Sequence, residues 1–161
     1  EAAPPNPIDY FYAGAGALFA QTTVQAFNDA DVPADSIKDL LQRGVYFTTA
    51  VKCPKVEYTI PLQTIDACSL LLEKELALFP NLKAVMLMGD AAIRAVNTIA
   101  KRLGQGRVIP AGSTYKLRGK EYFFQGKRAF PSYVQAGPSF FIEKVKRQMI
   151  AEDIAAAMAL L

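Results

Sequence analysis

Two apolar runs with a helical pattern between them constrain this chain more than any other feature. Residues 45–51 read VYFTTAV and residues 84–88 read AVMLM, without polar alternation in either. A strand covered on both faces has that composition. Between the runs, Pro61 suits the first turn of a helix, and Ile65, Cys68, Leu72, Leu76 and Phe79 then recur at helical spacing up to Pro80. Strand, helix and strand in that order predict a parallel βαβ unit with a right-handed crossover.

The remaining segments extend the same alternation. Leu18, Val24 and Phe27 predict a helix over 17–29, and Pro33 and Asp35 open a short one through Leu41, with Gly44 as its cap. Asp90 suits the N-cap of a helix to Leu103, closed by Gly104. Tyr115–Gln125 reads as a hairpin turning at Gly119, and Lys127–Phe130 as a short strand stopped by Pro131. Gly137-Pro138 starts a terminal helix carrying Phe141, Val145, Met149, Ile154 and Met158, while residues 4–16 and 53–60 read as loops. The fold class is α/β, in a single domain over 1–161 whose N-terminal part, with one strand, is expected to precede Glu1. Ligands of such sheets bind beyond the carboxyl ends of the strands. Thr49–Cys53, Gly89–Asp90 and Pro131–Tyr133 are therefore expected on one edge.

Histidine is absent from all 161 residues, which excludes histidine general bases, Ser-His-Asp triads and HExxH zinc sites within them. Cys53 and Cys68 are the only cysteines, too few for a disulfide scaffold, so a reducing cytoplasm is the expected location. No apolar run reaches the roughly 20 residues that span a bilayer. Charge is unevenly spread. Residues 1–100 carry 7 Lys/Arg against 11 Asp/Glu, whereas residues 101–150 carry 11 Lys/Arg against Glu121 and Glu143 alone. Two explanations fit: a surface facing a polyanion, or a solvated face balanced by an acidic helix.

Four segments together resemble the iron–sulfur uracil-DNA glycosylases. Glu1-Ala2-Ala3-Pro4 is similar to their first motif, GEAPG, with one residue inserted. Val51-Lys52-Cys53 followed by Ala67-Cys68 resembles their VVKC segment and next cysteine. Met88-Gly89-Asp90-Ala91-Ala92 resembles their strand–Gly–helix step, and Phe130-Pro131-Ser132-Tyr133 their HPS loop. The order and spacing agree over nearly the whole chain. The resemblance implies a three-layer α/β/α sandwich with a central four-stranded parallel sheet. It also implies hydrolysis of the N-glycosidic bond of a deaminated or damaged base in DNA, uracil or a relative, by a monomer that needs no cofactor for the chemistry.

That reaction dictates residue types. The base leaves the stack for a pocket, a carboxylate and a held water serve an oxocarbenium-like sugar, and donors meet the departing base. By resemblance Glu1 orients or activates water, and Phe11 or Tyr12 stacks on the base. Thr49 stands where an Asn reads the uracil edge, with one hydroxyl in place of an amide, and Phe130 stands in place of a donating His. Both departures turn the expectation toward another lesion, such as a deaminated purine. Each position also fits an ordinary structural role: a solvated terminal carboxylate, packed aromatics, a β-branched strand residue. Ser132 and Tyr133 are expected against DNA. So are Lys116, Arg118, Lys120, Lys127 and Arg128, which interleave with Tyr115, Tyr122, Phe123 and Phe124, with Lys52 and Lys55 extending the strip. Cys53 and Cys68 match two of the four thiolates of a [4Fe–4S] cluster, which would need two further cysteines upstream of Glu1; otherwise they are buried structural thiols. A non-catalytic DNA-binding or lesion-sensing module, and more remotely a nucleotide-binding protein, are the alternatives.

Overall fold

A computed structural model of the chain describes residues 1–55 and 59–161, so part of the expected loop at 53–60 lies outside the described residues. The elements are β1 (Ala2–Ala3), a 3-10 turn (Pro7–Asp9), α1 (Leu18–Asp29), α2 (Ile37–Gln42), β2 (Val51–Pro54), α3 (Leu62–Leu76) and β3 (Ala84–Met88). After these come α4 (Asp90–Arg102), α5 (Thr114–Leu117), β4 (Tyr122–Phe124), β5 (Lys127–Ser132), α6 (Ser139–Ile142) and α7 (Lys144–Met158). They fall into two compact units. The first is Glu1–Ala3 with Thr49–Ser132; the second is Pro4–Thr48 with Tyr133–Leu161.

The first unit is mixed α/β. In it β1 and β2 run parallel, with Ala2 opposite Val51 and Ala3 opposite Pro54. β3 and β5 are also parallel, in register from Ala84↔Arg128 to Met88↔Ser132. β4 lies antiparallel on the other side of β5, from Tyr122↔Ala129 to Phe124↔Lys127. Two sheets of two and three strands thus stand where one four-stranded parallel sheet was expected. The antiparallel strand follows from the turn. Gln125 and Gly126 have φ of 50° and 76°, the two positive angles of a type I′ hairpin, whose twist matches that of the strands. The expected turn at Gly119 is therefore corrected: Thr114–Leu117 is helical, and the hairpin lies ahead of β5. Pro131 is tolerated inside β5 because β4 has already ended, so a missing N–H on that side removes no ladder bond.

Helices α3 and α4 cover this unit's core. Ala91, Ala95, Val96, Ile99 and Ala100 form the buried face of α4, where small side chains allow close approach. They meet Ile65, Cys68 and Leu72 of α3 in one apolar cluster with Val51, Val85, Leu87, Ile109 and Phe124. Polar contacts fix the packing. The Arg102 guanidinium donates to the Glu73 carboxylate at 2.5 Å and to the Ser69 hydroxyl at 3.1 Å. Asn97 accepts from the N–H groups of Val108 and Ile109 and donates to the Ile109 carbonyl at 2.9 Å, so one side chain holds the loop after α4.

The second unit is helical. Its aromatic cluster corrects the expected strand over 45–51, which begins only at Val51. The Tyr12 hydroxyl donates to the Phe47 carbonyl at 2.7 Å and accepts from the Phe47 N–H at 3.0 Å. One side chain thereby takes both backbone groups that a strand would offer a neighbour. The Phe47 ring packs on Phe11 at 5.6 Å and against Phe27 at 5.7 Å. The Tyr12→Phe variant leaves the two groups of Phe47 without that hydroxyl. It is expected to cost about 1–3 kcal/mol and to speed amide exchange at Phe47. Unchanged exchange there would refute this account of why the segment is not a strand.

Helix α2 starts at Ser36 in a capping box with Asp39, and Gly44 closes it with φ of 85°. The expected single terminal helix is instead two, α6 and α7, broken at Glu143 with ψ of 76°. Arg147 of α7 donates to both carboxylate oxygens of Asp29 at the end of α1, with Nη2 to Oδ1 at 2.7 Å. These hydrogen bonds hold the Asp29 carboxyl below the usual carboxylate range. A lowered folded-state pKa stabilises above the unfolded value of about 3.9, and the contribution disappears as pH falls through the folded one. In an acid titration followed by circular dichroism, the wild-type chain is expected to lose stability below pH about 4 more steeply than Asp29→Asn. Parallel titration curves would contradict it.

Candidate nucleic-acid interface

The motif segments of the first unit pair off. At the start of β1 the Glu1 carbonyl accepts from the Val51 N–H at 3.2 Å, and the Ala3 carbonyl accepts from Lys55 at 3.2 Å. Glu1 therefore lies beside the Val51-Lys52-Cys53 segment. Its carboxylate is 3.7 Å from Lys55 Nζ, with 29% of the Glu1 side chain and 34% of the Lys55 side chain exposed. Lys52 instead donates to Glu75 of α3 at 2.5 Å, a pairing with no signal in the local sequence.

At the carboxyl ends of β3 and β5 the other two segments meet. Met88 is opposite Ser132, and the Gly89 N–H donates to the Ser132 carbonyl at 2.9 Å. Gly89 has φ of 92°, a left-handed value that a Cβ would strain. It occupies the N-cap of α4, so Asp90 is the first helical residue and not the cap that the sequence suggested. Ser132, Thr49 and Phe130 are all buried. Phe130 does not stand open at a strand end; it lies within β5, and the Arg128 guanidinium sits 4.8 Å from its ring centroid. Tyr133 belongs to the second unit, where Lys146 Nζ is 5.4 Å from its ring.

The basic residues do not share one hairpin. Lys116 is on α5, Arg118 and Lys120 follow it before β4, and Lys127 and Arg128 are on β5. Lys116 and Lys120 are exposed, the others half-buried. Arg128 is the most constrained. Besides Phe130 it covers Phe123 at 5.4 Å, and its Nη2 is 4.0 Å from Glu121 Oε1, while Nη1 is buried without a hydrogen-bond partner among the described residues. The pairing of Phe123 with Arg128 follows from the hairpin register, which the sequence reading displaced by several residues.

In the second unit Phe11 is 4% exposed, packed on Phe19 and Phe47, whereas Tyr12 is 43% exposed and stacks on Tyr46 at 6.2 Å. Cys53 is exposed and Cys68 is buried in the first unit's core. Among the described residues no group of three or more His, Cys, Asp and Glu could hold a metal ion, and no helix is long and apolar enough to cross a membrane. Comparison with protein-family models, curated proteins and solved structures returned no match.

Proposed function

We propose that the chain is a DNA-repair hydrolase of the uracil-DNA glycosylase type, which cleaves the N-glycosidic bond of a deaminated or damaged base. The observation that carries this is the pairing of the four motif segments: Glu1–Ala3 with Val51–Pro54, and Met88-Gly89 with Ser132. Motif segments distant in sequence become neighbours in space, which supports reading them as parts of one site. On this reading β1, β2, β3 and β5 correspond to the four parallel strands of a three-layer α/β/α sandwich, and β4 is an addition to it. The half-exposed Glu1 carboxylate would hold the attacking water and offset positive charge on the sugar. Phe130 brings no hydrogen to the leaving base, so a lesion less dependent on that donor than uracil is the expected substrate. No step draws on an iron–sulfur cluster.

A non-catalytic DNA-binding module is the second reading, favoured by the burial of Thr49 and Phe130, the two base-reading positions. One experiment separates them. The protein is incubated with uracil-, hypoxanthine- and xanthine-containing oligonucleotides, followed by alkali. Strand breaks at the lesion support the hydrolase. A gel shift without breaks supports the module, and neither breaks nor shift removes both.

A further inference from the structure

We propose that Phe123 is a stacking platform for an unpaired nucleobase, and that the first unit takes a single-stranded polynucleotide along β4. This rests on the DNA reading above and adds a strand preference to it.

Phe123 lies on the edge strand of its sheet and is 55% exposed, while its neighbour Phe124 is 2% exposed. The strand thus spends one aromatic on the core and leaves the next in water. Phe123 is nonetheless held. Arg128 lies opposite it in register, with the guanidinium 5.4 Å from the Phe123 centroid and 4.8 Å from that of Phe130. A cation layered against two rings fixes the platform at little entropic cost and enriches the stack in cation–π attraction. With Arg128 against one side and over half of its surface in water, Phe123 offers the remainder to a planar partner.

Charge selects that partner. Residues 101–132 contain 8 Lys/Arg and one carboxylate, Glu121, whose side chain is 78% exposed and only 4.0 Å from Arg128 at its nearest. Lys116 and Lys120 are exposed close by in sequence. An aromatic platform among cations suits a strand whose phosphates meet the lysines while a base meets the ring. The face of a base is available only when it is not stacked in a duplex, so the fitting polyanion is an unpaired strand.

The chain has no tryptophan, so Phe123→Trp introduces a single indole fluorophore at the platform. Titration of this variant with oligothymidylate should quench its emission to saturation, and inorganic polyphosphate should not. Phe123→Leu, which keeps an apolar cover over Arg128 but has no ring, should weaken oligothymidylate binding roughly tenfold, with Phe123→Tyr near wild type. Circular dichroism checks that each variant is folded. Equal quenching by polyphosphate, or wild-type affinity in Phe123→Leu, overturns the stacking role. If oligothymidylate causes no quenching but lesion duplexes still shift or are cleaved, this inference fails and the DNA reading stands. If no polynucleotide binds at all, both fall.

Discussion

Phe124→Ala is expected to lower the stability of the first unit by about 3–5 kcal/mol, the range for removing a buried phenyl ring from a packed core. Phe124 is 2% exposed and joins Val85, Leu87, Val96, Ile99 and Ile109 in one cluster. Set against a total stability of about 5–15 kcal/mol, the loss is a large fraction of the whole. For a chain of this size it corresponds to a fall in midpoint of roughly 10 °C. Phe123→Ala, one residue away and on the opposite face, should cost no more than about 1 kcal/mol, the worth of an exposed cation–π contact. Urea or thermal denaturation of the two variants side by side tests the register directly. Equal losses would mean that the alternation along β4 is wrong, and with it the turn at Gln125-Gly126 that sets it.

That turn marks where the sequence stopped being legible. Helices α1, α3 and α4 and strand β3 followed from spacing, because each buries one stripe or one run and is long enough for the period to stand out. The hairpin did not. Gln-Gly is a weaker type I′ signal than Asn-Gly, and Gly119 offered a competing glycine in an equally aromatic and basic neighbourhood. The 45–51 run failed for a tertiary reason. Its composition does favour a strand, but the hydroxyl of Tyr12, 35 residues away, takes the backbone of Phe47, and the ring is drawn into an aromatic cluster. No local pattern announces such a capture.

The candidate site was legible in the same uneven way. The neighbours Gly89 and Ser132 follow from reading both as ends of parallel strands, and the hydrogen bond between them agrees with that. The partners of individual cations do not follow from sequence. Composition groups Lys52 with Lys55 in a basic strip, yet Lys52 is paired with Glu75, which α3 brings from 23 residues away. Arg128 was one of five interchangeable cations until the register of β4 against β5 set it between two rings. Charge counts report a segment's composition; pairing geometry decides which charges remain to meet a ligand.

On the hydrolase reading proposed above, Glu1→Gln is expected to reduce lesion excision by about 10²–10⁴-fold, the usual worth of a positioned group that handles a proton in the rate-limiting step. The substitution keeps size and hydrogen-bonding reach but removes the charge that would offset the oxocarbenium-like sugar and the basicity that would activate water. The Glu1–Lys55 pair is 3.7 Å apart and about a third exposed on both sides, so its loss alone should cost no more than about 1 kcal/mol of stability. On the same reading, DNA affinity by gel shift should stay near wild type, or rise slightly, because the substitution removes a negative charge that would repel phosphates. Lys55→Met separates the two roles of the carboxylate. It breaks the ion pair and leaves the charge, so it should slow excision far less than Glu1→Gln. A Glu1→Gln protein that produces abasic sites at the wild-type rate would remove Glu1 from the chemistry. If Lys55→Met were the slower of the two, the cation, not the carboxylate, would be the group that the reaction uses.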